Sequence, residues 1–172
     1  MQIGFIGLGT MGGPAALQLI AGGHQLAVCD LKRENAKAHL ARGATWADTP
    51  AEAARNADIV FTMVFGPRQI ADVMRGANGV LSSIAGGAVW IDMTTNRPGL
   101  ARELAAEVRA ISADAIDAPV TGAVDGARTG KMPLFAGGDE ATIDRVRPVM
   151  ELMGPVYYVG DNGSGCLTKL AS

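Results

Sequence analysis

The segment Gly7-Leu8-Gly9-Thr10-Met11-Gly12 constrains this chain more than any other. It follows an apolar run at residues 2–6. Met11, Ala15, Ala16, Leu19 and Ile20 then recur at helical spacing, which predicts a strand, a tight turn and a helix in succession. In such a turn the first glycine lets the backbone reverse, the second leaves room for a pyrophosphate against the main chain, and the third lets helix pack on strand. The helix start offers unpaired N–H groups and a positive dipole end to an anion. A second predicted strand, residues 25–30, closes on Asp30. A carboxylate there can accept hydrogen bonds from the ribose hydroxyls of a dinucleotide, or it can cap the helix that follows. It favours a free 2′-hydroxyl and therefore NAD, whereas Lys32 and Arg33 directly after it could neutralise a 2′-phosphate and keep NADP open.

Beyond Asp30, short apolar runs alternate with helical patterns, the signature of βαβ units and a mostly parallel sheet covered by helices on both faces. Strands are predicted at residues 44–46, 58–64, 88–92, 114–117, 132–136 and 156–159. Helices are predicted at residues 34–42, in the alanine-rich stretch after Pro50, and from Pro98, where Leu100, Leu104, Val108 and Ile111 line one face. Residues 118–131 read as a long loop. Asp139 is placed to cap a helix carrying Ile143, Val146, Val149, Met150 and Met153, within which Pro148 predicts a kink or a break. The fold class is α/β, a Rossmann-type doubly wound and mostly parallel sheet.

Composition narrows the partners. With 48% apolar and 19% charged residues and a formal charge of −2, the chain is globular and lacks the basic surface of a nucleic-acid or acidic-membrane binder. Its two cysteines and two histidines show no metal-ligand spacing, so no metal is expected. Reduced thiols and the absence of a signal peptide or spanning stretch lead to the expectation of a cytoplasmic protein.

Four segments, in order, resemble the β-hydroxyacid dehydrogenase family, which includes 3-hydroxyisobutyrate dehydrogenase and, more distantly, 6-phosphogluconate dehydrogenase. They are Ile3-Gly-Phe-Ile-Gly-Leu-Gly-Thr-Met-Gly-Gly-Pro14, Asp92-Met-Thr-Thr-Asn-Arg-Pro98, Asp117-Ala-Pro-Val-Thr-Gly-Ala-Val-Asp-Gly-Ala127 and Gly163-Ser-Gly-Cys-Leu-Thr-Lys169. The resemblance implies cofactor contacts from residues 7–12, Asp30, Val64, Phe65 and Thr95. A hydroxyl at Thr94 or Thr95 could instead cap the next helix. It implies that Thr121, Gly122 and Ala123 hold a small substrate's carboxylate, and that Lys169 is the general acid/base of hydride transfer between a nicotinamide cofactor and a small 3-hydroxy acid. A lysine does that near neutral pH only if burial or the cofactor's charge lowers its pKa. Threonine stands at 121 where the family more often has serine, and alanine at 123 where it more often has glycine; threonine keeps the hydroxyl, but its methyl narrows the site.

In the family, a helical domain that forms the dimer and closes the active site follows the segment carrying the lysine. Residues 1–162 are therefore expected to form the dinucleotide-binding domain, and residues 163–172 the start of the helix leading to that further domain. A chain ending at Ser172 is expected to bind cofactor yet turn over nothing, and its longer parent to be a homo-oligomer. The alternatives are a cofactor-binding module without catalysis and a reductase of a small semialdehyde or imine. Lys169 argues against the imine, because imine reductases usually replace it.

Overall fold

A computed structural model describes residues 1–172. Its strands are β1 (Gln2–Ile6), β2 (Gln25–Cys29), β3 (Thr45–Trp46), β4 (Ile59–Thr62), β5 (Val89–Asp92), β6 (Asp114–Asp117), β7 (Leu134–Gly137) and β8 (Val156–Gly160). The helices are α1 (Gly12–Ala21), α2 (Lys37–Ala41), α3 (Pro50–Ala54), α4 (Pro67–Arg75), α5 (Pro98–Arg109), α6 (Ala123–Thr129), α7 (Glu140–Met150) and α8 (Ser164–Ala171). One sheet runs in the order β3-β2-β1-β4-β5-β6-β7-β8. The first six strands are parallel; β7 pairs antiparallel with β6 through Asp117 and Gly137, and β8 runs parallel to β7.

The strands read as apolar because both their faces are covered. On one face Ile3, Phe5, Phe61 and Ile91 pack with Ala15, Ala16 and Leu19 of α1 and Ile143, Val146 and Met150 of α7. On the other, Ile6, Val60 and Trp90 meet Ala53 and Ala54 of α3, Ile70 and Met74 of α4, and Leu104, Ala105 and Val108 of α5. Neighbouring residues of one strand serve opposite layers, as the pleat requires. The order is that of the doubly wound fold: from β1 the chain proceeds outward to β2 and β3, then returns to β4 on the other side. The loops after β1 and β4 diverge there and leave a crevice at the carboxyl edge of the sheet, where such folds bind ligands.

The expected fold class holds, with local corrections. Residues 118–131 are not all loop, because residues 123–129 form α6, whose Ala127 is buried in the α1 layer. Gly126 interrupts any apolar period there, so tertiary contact rather than local pattern makes that helix. Pro148 neither breaks nor ends α7; it lies exposed near the helix end, where one missing N–H is tolerated. The stretch expected as a helix at 34–42 divides into a 3-10 turn, Arg33–Ala36, and α2. No sequence expectation covered α4, although Pro67 at its first turn and Ile70 and Met74 on one buried face signal it.

Candidate functional site

The glycine turn sits at the crevice and has the geometry its spacing predicts. Gly7 adopts φ +101°, and a Cβ there would run into the Met63 carbonyl of the neighbouring β4 loop. A Cβ on Gly9 would meet nothing within 4 Å, so that glycine faces open space. The amides of Gly9, Thr10, Met11 and Gly12 donate no hydrogen bond within the protein. The first turn of α1 has neither a side-chain cap nor an acidic residue, so its positive end is unanswered. Four free N–H groups at an uncapped helix start, beside a backbone bare of side chain, are the donor set a pyrophosphate requires.

Asp30, just beyond β2, braces this turn. Its Oδ1 accepts from the Leu8 amide at 2.9 Å, and its Oδ2 accepts from Lys32 N at 3.1 Å and Asn35 Nδ2 at 2.8 Å. Arg33 lies over the Trp46 ring, 5.4 Å from its centroid. Around the turn, Leu31 and Phe65 are the most exposed large apolar side chains, at 102% and 91%. They stand at the carboxyl ends of β2 and β4, either side of β1, and offer apolar surface to a flat ring; the expectation from sequence included Phe65 but not Leu31. Val64 is half-buried and donates its amide to Thr94 Oγ1 at 3.1 Å. Thr95 is exposed at the end of β5, and its hydroxyl engages no protein group. Neither threonine caps α5; Arg97 occupies that position without a side-chain bond.

After β6, Thr121 donates its amide to Pro133 O at 3.1 Å and leaves its hydroxyl uncommitted. Gly122 is left-handed at φ +97°, and so is Ala123 at φ +55°, a conformation in which a Cβ is strained. The amides of Gly122, Ala123 and Val124 donate to no protein acceptor. Lys169 lies half-buried on α8 and makes no ion pair.

Sequence reasoning assigned no role to the residue that holds α8. Asp117, the last residue of β6, is buried; its Oδ1 accepts from Gly163 N at 2.8 Å and its Oδ2 from Cys166 N at 3.0 Å. A Cβ on Gly165 would strike Asp117 and the Phe135 carbonyl, so the helix start lies directly on the sheet. Beside it, Asp92 ends β5, buried to 1% exposure. Burial pushes the Asp92 carboxyl up to about 7, nearby Asp117 adds to the rise, and hydrogen bonds from Thr94 and Thr62 oppose it. Only Asp92 carried a signal in the sequence, as the carboxylate that closes the apolar run of residues 88–91; Asp117 ends a strand that also begins with a carboxylate, Asp114.

Residues 2–160 match the family described as the NAD binding domain of 6-phosphogluconate dehydrogenase. The chain belongs to this family. Within it, the chain is 40% identical to a probable 3-hydroxyisobutyrate dehydrogenase-like 3 protein, mitochondrial, of Arabidopsis thaliana, over 99% of this chain and 54% of that protein. It is 38% identical to 2-hydroxy-3-oxopropionate reductase of Escherichia coli, over 100% of this chain and 59% of the relative. Among solved structures, that of Mycobacterium tuberculosis 3-hydroxyisobutyrate dehydrogenase with L-serine superposes with a TM-score of 0.93 at 32% identity, over 99% of this chain and 58% of that one. The chain thus spans little more than half the length of these relatives. It is an NAD-binding domain of the β-hydroxyacid dehydrogenase group, and its cofactor is a nicotinamide dinucleotide. No helix is long and apolar enough to cross a membrane.

Proposed function

We propose that this domain holds NAD for hydride transfer to or from a small 3-hydroxy acid, within an enzyme of about its relatives' length. The observation that carries the reading is the set of free amides at residues 9–12, braced by Asp30 at the crevice of the sheet. The bound nicotinamide supplies the hydride acceptor or donor. Residues 7–12 hold the pyrophosphate, and Asp30 faces the ribose hydroxyls. Leu31, Val64 and Phe65 line the adenosine side, and Thr95 lies toward the nicotinamide. Thr121 offers its hydroxyl, and Gly122 and Ala123 their amides, to the substrate carboxylate. Lys169 takes the proton from the substrate hydroxyl oxygen, or returns it to the forming alkoxide when a semialdehyde is reduced.

Asp30 supports NAD over NADP. Its charge repels a 2′-phosphate, and Arg33, which could answer that phosphate, is directed onto Trp46. Two buried free cysteines suit a reducing compartment such as the cytoplasm, and a homo-oligomer assembled outside this domain fits the reading.

Titration with NADH and NADPH, followed by nucleotide fluorescence, tests the binding half. NADH should bind at least about 10-fold more tightly, and Asp30→Asn should narrow that ratio. A protein of full family length tests the chemistry. There Lys169→Ala should lower kcat by about 10²–10⁴ on a panel of small 3-hydroxy acids, with NADH affinity retained. An unchanged kcat would remove Lys169 from the mechanism.

A further inference from the structure

Asp92 and Asp117 are in-register neighbours on the parallel strands β5 and β6, so their side chains leave the same face of the sheet about 5 Å apart. Both are buried, and neither has a cation partner. Two charged carboxylates in such a place repel strongly unless one is neutral.

The hydrogen bonds decide which one. Trp90 Nε1 donates to Thr62 Oγ1 at 2.9 Å, so the Thr62 hydroxyl points its own hydrogen to Asp92 Oδ1, also at 2.9 Å. Thr94 N donates to the same oxygen at 3.1 Å. Asp92 Oδ1 is therefore a double acceptor, whereas Asp92 Oδ2 is buried without a partner. A bare anionic oxygen is far costlier there than a neutral hydroxyl. Asp117 has the opposite surroundings, since each of its oxygens accepts an amide from the start of α8, where the helix dipole favours negative charge.

We propose that Asp92 and Asp117 share one proton, held on Asp92 Oδ2, and that this proton lets the charged Asp117 keep α8, with Lys169 on it, in register with the cofactor loops. Asp92 orders those loops from its other oxygen: it fixes Thr94, whose hydroxyl fixes the Val64 amide. The pair joins the segment carrying Val64, Phe65 and Thr95 to the helix carrying Lys169. Both are positioning residues. The titratable groups facing Asp92 are Asp117 from β6 and the Cys166 thiol from α8; β4 presents only the Thr62 hydroxyl. Burial and the two carboxylates push the Cys166 thiol up, which keeps it neutral as the pair's neighbour. Loss of the Asp92 proton places two negative charges side by side and loosens the hold on Gly163 and Cys166. The meaning of this for proton transfer rests on the role proposed for Lys169, but the pair and its titration stand without it.

Carbon-13 NMR of the 172-residue chain across pH 4–9, with triple-resonance assignment of the Asp92 carboxyl, tests the shared proton. Amide exchange of residues 163–169 is followed in parallel and corrected for the intrinsic base dependence. The expected result is an Asp92 midpoint near 7, with corrected exchange in α8 rising several-fold through it. Asp92→Asn, which mimics the neutral acid, should make that exchange independent of pH. An Asp92 midpoint below 5, or α8 exchange unchanged through the transition, overturns the proposal. The wild-type titration decides the matter even if the variant fails to fold. NADH titration of the same samples reads the binding reading separately.

Discussion

Two glycines of one turn carry different burdens, and single substitutions separate them. Gly7 needs its positive φ and would clash with the Met63 carbonyl, so Gly7→Ala should cost about 2–4 kcal/mol by denaturant unfolding. Gly9 faces open space, so Gly9→Ala should leave stability within about 0.5 kcal/mol while weakening NADH at least about 10-fold. Equal losses of stability would make the turn a packing device. Ala123 presents the reverse case. At φ +55° it holds a conformation suited to glycine, and Ala123→Gly should raise stability by about 0.5–1 kcal/mol. The glycine turn was legible from sequence because each conformational demand there selects a residue type within a few positions. Asp117 was not, because its amide partners lie 46 and 49 residues further along the chain.

Elements were legible where local chemistry and tertiary context agree. The parallel strands announced themselves as apolar runs because both faces are buried, and Asp139 caps α7 as its position suggested, accepting from Thr142 N at 3.0 Å. Asp139→Ala should therefore cost about 1 kcal/mol in thermal unfolding. Where the two levels disagree, the pattern misleads. Pro148 reads as a break, yet it sits in the last turn of α7, above a well-buried stripe that Ile143, Val146, Val149 and Met150 hold in place. Its missing N–H leaves the Asp144 carbonyl without a helical donor, so Pro148→Ala should stabilise the chain by about 1–2 kcal/mol. In α6 the disagreement runs the other way: a weak local sequence becomes helical because Ala127 packs into the α1 layer.

At the scale of the whole molecule, the buried pair links the site to folding. Asp92 rises from an ordinary 3.8 to about 7 in the folded chain. Between those values the folded state keeps a proton that the unfolded state has released. Stability from this group therefore falls as pH rises through the window, and it is flat below and above. The common case of a salt-bridged carboxylate has the opposite sign, so the two contributions separate by subtraction. Asparagine at 92 keeps an acceptor for Thr62 and Thr94 and cannot ionise. The Tm difference, Asp92→Asn minus wild type, should widen from pH 4 to 7 and then stay level, while titrating groups not coupled to Asp92 cancel. A difference that narrows with rising pH would mean that the fold stabilises the charged form of Asp92. The sheet would then hold two anions under the helix that carries Lys169, and the single-proton account of how that helix is seated would fail with it.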